Sequence, residues 1–447
     1  MRKYFFIAII GILLSSSQVM AKDTAGQDSY FPEFRPDEDM TAVREGNNFL
    51  NKGIQYGGWV TPVFINQYQG AGTSYSSSIN SLRLWMRSYL WNNSYLYVRG
   101  KYTFSAVDNG NTTDHLVDVD AAFINAQFLD KKIEVTLGRK YFLLGSGLVL
   151  NGRGDGAEVD VYTRYIRAKI LTSYTGLLLK DNNPYNISSQ DVADGAKRLF
   201  VGGSLSYILY NQKIYAISLA QMDFADEAAG TRTRYQSQYW GGGLEGALPW
   251  NLSYNSEFIY ETGTSYTALS QEKKIRAMAA LFNLNWQIKE TTSPVVMVQY
   301  AYGSGDSDRD NYTGPTAGAL GNDTGFVTFG TFLAGYGLRP TPGNLHVLRG
   351  GFSLSPTEML DNLRLKRTTL IAKYSLYMKD KKDGVISGGE TTEEELLVGH
   401  GIDLSLRWKI FSDISFFANY GLFIPGNAYY SSQQPNHFTM AGMNISF

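Results

Sequence analysis

Residues 82–105, LRLWMRSYLWNNSYLYVRGKYTFS, decide the fold. Leu82, Leu84, Met86 and Leu90 share one parity, and Arg83, Arg87 and Tyr89 the other. After the turn residues Asn92-Asn93 the alternation resumes, with Leu96, Val98, Tyr102 and Phe104 against Tyr95, Arg99, Lys101, Thr103 and Ser105. Successive side chains of a strand point to opposite faces, so each run has one oily and one polar face. Two such runs joined by a tight turn read as an antiparallel hairpin.

The same pattern continues along the chain. Val159 and Val161 oppose Glu158 and Asp160; Met278, Phe282, Leu284 and Trp286 oppose Asn283, Asn285 and Gln287. Leu370, Tyr374 and Leu376 oppose Thr369, Lys373 and Ser375, and Ile402, Leu404 and Leu406 oppose Asp403, Ser405 and Arg407. Candidate strands are 54–68, 79–91, 94–107, 116–128, 132–140, 156–163, 165–173, 197–209, 212–223 and 235–248. They continue at 251–264, 274–288, 294–304, 344–356, 362–378, 397–410, 412–424 and 437–447. This makes about eighteen, an even number, as single-chain bacterial barrels have.

A soluble β-sandwich also gives period 2, with its oily face inward. Three features favour a transmembrane antiparallel β-barrel with the oily face outward. The segments are long enough to cross a bilayer at a tilt. Tight turns at Asn92-Asn93, Asp130-Lys131, Asn211-Gln212, Pro249-Trp250 and Ser412-Asp413 alternate with long polar stretches at 106–115, 174–196, 224–234, 303–343 and 379–396. That asymmetry fits short periplasmic turns and long extracellular loops. Aromatics such as Tyr89, Trp91, Trp240, Trp286, Tyr300, Tyr302, Trp408 and Phe411 fall near segment ends, where interfacial girdles lie. The last segment, Phe438 to Phe447, puts Thr439, Ala441, Met443, Ile445 and Phe447 on one face. It resembles the aromatic carboxy-terminal strand that barrel-assembly machinery reads in outer-membrane proteins. The expected location is therefore the bacterial outer membrane, with its lipid as a partner.

Composition agrees. Among 447 residues there are 31 Tyr, 24 Phe and 46 Gly, no Cys, and only 18% charged residues, with a formal net charge of −1. The absence of Cys excludes disulfide scaffolds and Cys-ligated metals, and the balanced charge argues against a nucleic-acid partner. Residues 1–21 read as a signal peptide: Arg2 and Lys3, an apolar run from Tyr4 to Leu14, then Val19-Met20-Ala21. Residues 22–53 read as a periplasmic arm, and 54–447 as the barrel. An eighteen-stranded barrel encloses an aqueous lumen.

Parity directs basic Arg83, Arg87, Arg99, Lys101, Lys140, Arg167, Lys169, Arg349, Arg367, Lys373, Arg407 and Lys409 inward. It does the same for Asp118, Asp120, Glu134, Glu158, Asp160, Glu257, Glu261 and Asp403. Basic side chains in a pore select for anions, whereas paired charges of both signs serve only to keep a wall polar. Arg139 falls on the lipid parity, where mid-bilayer Arg costs about 2–4 kcal/mol. It lies either at the interface or, as we favour, behind a bulge at Gly138 that turns it inward. The Gly-rich stretch 144–156 reads either as a constriction loop folded inward or as a tight connection.

Leu137-Gly138-Arg139-Lys140, the Gly-rich stretch, Asp155-Gly156, Val159, Arg164 and Arg167, together with Tyr302-Gly303-Ser304-Gly305-Asp306, resemble the alginate-export family of outer-membrane porins. Lys140 stands where that family usually has Gln. The resemblance covers about residues 54–447 and implies an eighteen-stranded barrel with an Arg-rich constriction; in this chain we expect it to be built from Arg99, Lys101, Arg139, Arg167 and their acidic partners. The expected function is passive, electrostatically selected passage of anionic or carbohydrate-like solutes, small or polymeric, without catalysis or a cofactor.

Two readings from other classes stand beside it. A barrel hydrolase needs a His dyad, and His115, His346, His400 and His437 are scattered. A scaffold barrel would house a partner such as an electron carrier, which stoichiometric co-purification would reveal. Asp306, Asp308 and Asp310 resemble the start of a calcium loop but lack its Gly and Glu. A solvated acidic loop is the plainer reading.

Overall fold

An oily-faced sheet cannot leave unpaired strand edges in lipid, so it must close on itself. The computed structural model shows that closure. It describes residues 53–447 except 71–72, 92–93, 108–111, 226–233, 268, 310, 317–318, 361–364, 366, 388–390 and 392. The signal peptide, almost all of the arm, the Asn92-Asn93 turn and Asp310 therefore lie outside the described residues.

The strands are β1 Ile54–Gln69, β2 Thr73–Tyr89, β3 Tyr95–Val107, β4 Thr112–Phe128, β5 Ile133–Leu144 and β6 Leu150–Tyr162. Then come β7 Ile166–Tyr174, β8 Arg198–Leu209, β9 Gln212–Asp223, β10 Gln236–Leu248, β11 Leu252–Tyr266 and β12 Glu272–Gln287. Last are β13 Val295–Gly303, β14 Leu345–Leu354, β15 Thr368–Met378, β16 Leu397–Lys409, β17 Ile414–Pro425 and β18 Asn436–Ser446. Each pairs antiparallel with its chain neighbours, and β1 pairs with β18 to close an eighteen-stranded barrel. Gly58 and Phe447 exchange both backbone hydrogen bonds at the seam, at 3.0 and 2.9 Å.

The alternation sorts side chains as the sequence indicates. Leu84 is 53% exposed while its neighbour Arg83 is 5% exposed. Val117 and Val119 face outward and alternate with buried Asp118 and Asp120. Both chain ends of the barrel and the tight turns lie at one rim; the long connections lie at the other.

Four strands run longer than their sequence patterns suggest. β2 begins at Thr73 and β4 at Thr112, because short polar residues continue the ladder beyond the oily run. The larger correction concerns the Gly-rich stretch: β5 runs to Leu144 and β6 starts at Leu150, so most of it is hairpin. β15, by contrast, starts only at Thr368, which leaves Arg367 on an exposed turn and not on the wall.

Candidate functional site: a lumen narrowed by two inward segments

The tip of the β5–β6 hairpin leaves the wall. β4 pairs with β5 only between Phe128↔Ile133 and Ala122↔Arg139, and β6 pairs with β7 only between Tyr162↔Arg167 and Asp155↔Tyr174. Beyond those rungs residues 140–154 pair with each other and no longer with the neighbouring wall strands. Phe142, Leu144, Leu148, Val149 and Leu150 are all buried. A hairpin whose two faces both pack loses the simple alternation of a lipid-facing strand.

The long connection 304–344 folds inward to meet it. Its segment GFVTFGTFLAGYG, residues 325–337, buries Phe326, Val327, Phe329, Phe332 and Leu333. Backbone bonds tie the two segments: Phe329 N–H donates to Val149 O at 3.2 Å, and Thr331 N–H to Gly147 O at 3.0 Å. Phe329 and Leu150 form a parallel bridge. Gly330 lies so close that an added Cβ would sit 2.0 Å from Gly147 O. The 303–343 stretch is thus not the purely polar external loop its ends suggest.

Two carboxylates on β11 hold both segments to the wall. Glu257 accepts from Ser146 N–H at 2.7 Å, Ser146 Oγ at 2.6 Å and Tyr215 OH at 2.7 Å. Glu261 accepts from Tyr235 OH at 2.7 Å, Tyr239 OH at 3.0 Å and Val327 N–H at 3.0 Å. Further round the wall, Asp403 accepts from Tyr336 N–H at 2.9 Å, Tyr377 OH donates to Ala334 O at 2.7 Å, and Arg349 donates to Leu333 O at 2.8 Å. Inside the loop, Arg309 grips Asp323 through two 2.9 Å bonds. Burial works against the guanidinium charge, but Asp323, with Tyr235 and Glu261 adding to it, holds Arg309 above its ordinary pKa.

Where the hairpin bends in, its former outer face meets the inner face of β4. This brings together Arg83, Arg99 and Lys101 on β2 and β3, Asp118 and Asp120 on β4, and Arg139, Arg153 and Asp155 of the hairpin. Asp120 lies 2.7 Å from Arg99, 3.3 Å from Arg83 and 3.1 Å from Arg153. Asp118 lies 2.7 Å from Arg153 and 3.5 Å from Arg139. Lys101 is the register partner of Asp118. Among the described residues five cations thus gather around three carboxylates. Changing Asp120 to Ala removes a carboxylate that three buried guanidiniums share. Such losses cost about 3–5 kcal/mol. The variant should unfold at clearly lower urea concentration, followed by heat-modifiable gel mobility, while D120N should lose less.

Arg139 corrects the bulge expectation. Gly138 does have φ +128°, but the β4–β5 and β5–β6 registers run through it unbroken. The register shift lies on β4 instead, where Asp120 is the extra residue opposite Arg99/Gly100. Arg139 keeps its outward parity, beside Ala122 and Asp155. It is shielded there: it binds Asp155 through two 2.9 Å bonds, Val119 O at 3.1 Å and Leu177 O at 2.9 Å. It thereby satisfies an edge carbonyl of β4 that has no β5 partner. Arg153, which sequence reading missed, does similar work from the other arm of the hairpin. Its signal was a charge isolated among Gly152, Gly154 and Gly156.

The remaining inward charges fall into separate groups. Lys140 lies 2.6 Å from Glu158, and Lys169 3.2 Å from Glu158 and 3.9 Å from Asp160, a balanced set. Arg349, Lys373 and Arg407 lie on β14–β16 with Asp403. Arg87 stacks over Tyr95 at 3.9 Å, and Arg167 lies exposed over Tyr162 at the tight-turn rim. Lys409 is exposed at the end of β16, and Glu134 accepts from Asn125. The basic residues are thus spread over several levels and do not form a single ring. Below the Arg83–Arg99 cluster an aromatic patch lines the same wall: Trp59, Trp85, Tyr95, Tyr97 and Phe123. Arg99 and Arg83 lie over Trp59 at 5.4 and 5.9 Å.

The four histidines all face outward, away from the lumen. Asp306 caps a turn, accepting from Asp308 N–H at 2.7 Å and Thr324 N–H at 2.6 Å. Among the described residues no group of His, Asp and Glu is arranged to hold a metal ion.

A family model described as alginate export matches residues 201–442. No curated protein matches the chain. Among solved structures, OccAB1 of Acinetobacter baumannii aligns with TM-score 0.57 at 11% identity, over 90% of this chain and 99% of that one. OccK8 (OprE) of Pseudomonas aeruginosa aligns with TM-score 0.54 at 12% identity, over 88% and 98%. OpdK of the same organism, solved with vanillate, gives TM-score 0.54 at 10% identity, over 88% and 99%. At these identities the structural likeness is one of fold.

Proposed function

This chain belongs to the alginate-export family of bacterial outer-membrane barrels, and from that premise we propose that it is a passive channel for anionic, carbohydrate-like solutes. The observation that carries the reading is the wall formed by β1, β2, β3 and β4. There Arg83, Arg99 and Lys101 stand above Trp59, Trp85 and Tyr97. Flat rings suit the apolar faces of sugars or aromatic acids, and basic side chains attract a carboxylate. Vanillate, found with OpdK, carries both kinds of group. Nothing in this route requires a covalent step. The inward hairpin and loop set the bore, and the wall charges set the preference.

The test is a reversal potential across a planar bilayer under a salt gradient. Wild type should prefer anions. R99A/K101A removes two wall cations and should lower the anion-to-cation permeability ratio by about twofold or more. An unchanged ratio, or a cation preference in wild type, would overturn the reading.

A further inference from the structure

The four histidines are held on the outer surface in one repeated way. Tyr102–His115, Tyr300–His346, Tyr374–His400 and Tyr420–His437 are hydrogen bonds of 2.7, 2.8, 2.7 and 2.8 Å, each to Nδ1. Each histidine sits near the start of an even-numbered strand (β4, β14, β16, β18), at the rim of the long connections. Their direct cross-strand partners are Phe104, Tyr302, Leu376 and Leu422. The bonded tyrosine always lies two residues from that partner, toward the membrane. All four pairs fall on the arc from β13 round through β18 and β1 to β4. Strands β5 to β12 carry none.

We propose that this arc docks phosphate-bearing lipid headgroups of the outer leaflet, through the histidine Nε2–H groups. A tyrosine hydroxyl that donates to Nδ1 fixes the ring proton on Nε2. Nε2 is then the ring nitrogen left to donate, at the level where headgroups lie. Phosphate oxygens are the acceptors available there. Rings beside the imidazoles supply a platform: Phe104 at 5.0 Å from His115, Tyr302 at 4.7 Å from His346, and Tyr68 at 6.0 Å from His437. Two acidic groups lie close. Asp380 is 3.7 Å from His346 Nε2 and 3.8 Å from Lys381, and Asp114 accepts the backbone N–H of His115 at 2.9 Å.

The barrel would be placed in phosphatidylcholine nanodiscs containing a minor fraction of lipid A or of its dephosphorylated form, and bound lipid counted by native mass spectrometry. Wild type should retain the phosphorylated form about fivefold better or more. H115F/H346F/H400F/H437F should lose that preference while keeping its heat-modifiable gel mobility. Replacing the four tyrosines by Phe leaves the imidazoles but frees their tautomer, and should reduce the preference by part. If the quadruple histidine variant does not fold, H346F and H400F singly should each lose a share. Equal retention of both lipids by wild type would overturn the proposal. So would a preference that survives in the histidine variants, or a wild-type dimer that the histidine changes abolish, since the arc would then face a second copy.

Discussion

Replacing residues 306–340 by a short Gly-Ser linker raises single-channel conductance at least about threefold. An eighteen-stranded wall encloses an aqueous lumen, and only what folds into it narrows the path. Here the connection 304–344 supplies Phe326, Phe329 and Phe332 to the interior. The β5–β6 tip leans on it through the bonds of Phe329 and Thr331. Removing the connection therefore takes out one segment and loosens the other. The wall keeps all of its ladder bonds, so the variant should still migrate as a folded barrel. Conductance equal to wild type would mean that solute takes a path the two segments do not narrow.

The second large effect is expected at β11. In E257A/E261A six hydrogen bonds to carboxylates are lost, among them those from the Ser146 and Val327 backbones. Bonds to a charged group are worth about 1.5–3 kcal/mol each, so both segments should come loose from that wall. Two readouts follow. Steady conductance should break into frequent transitions between levels, and the 304–344 connection should become cleavable by protease added to sealed liposomes. E257Q/E261Q keeps the shape and part of the bonding and should behave between the two. A quiet, protease-resistant double-alanine channel would show that Asp403, Tyr377 and Arg349 alone anchor the loop.

Where one face meets lipid and the other the lumen, the period of two is a direct consequence, and Leu84 beside Arg83 displays it. The strand count, the closure and the place of the long connections follow from repeating that reading. It fails where both faces are covered. Residues 144–154 combine glycines, which carry no facing information, with apolar residues buried on both sides, so the hairpin tip read as a loop. Glu257 and Glu261 showed correctly as inward charges. Their partners Ser146 and Val327 lie far away in sequence, and no local pattern joins them. The apolar run at 325–337, unusual for an external loop, was the one local sign that this connection turns inward. Arg139 was legible as a problem of parity. Its solution depends on β4 losing its β5 partner above Ala122, a property of the pairing and not of the residue.

The most direct measurement is the relative rate at which a uronic acid disaccharide and a neutral disaccharide of the same size enter liposomes containing the wild-type barrel. A wall with Arg83, Arg99 and Lys101 over an aromatic patch should pass the acid faster at low ionic strength, with the difference shrinking as salt screens the charges. Equal rates, or faster entry of the neutral sugar, would contradict the account.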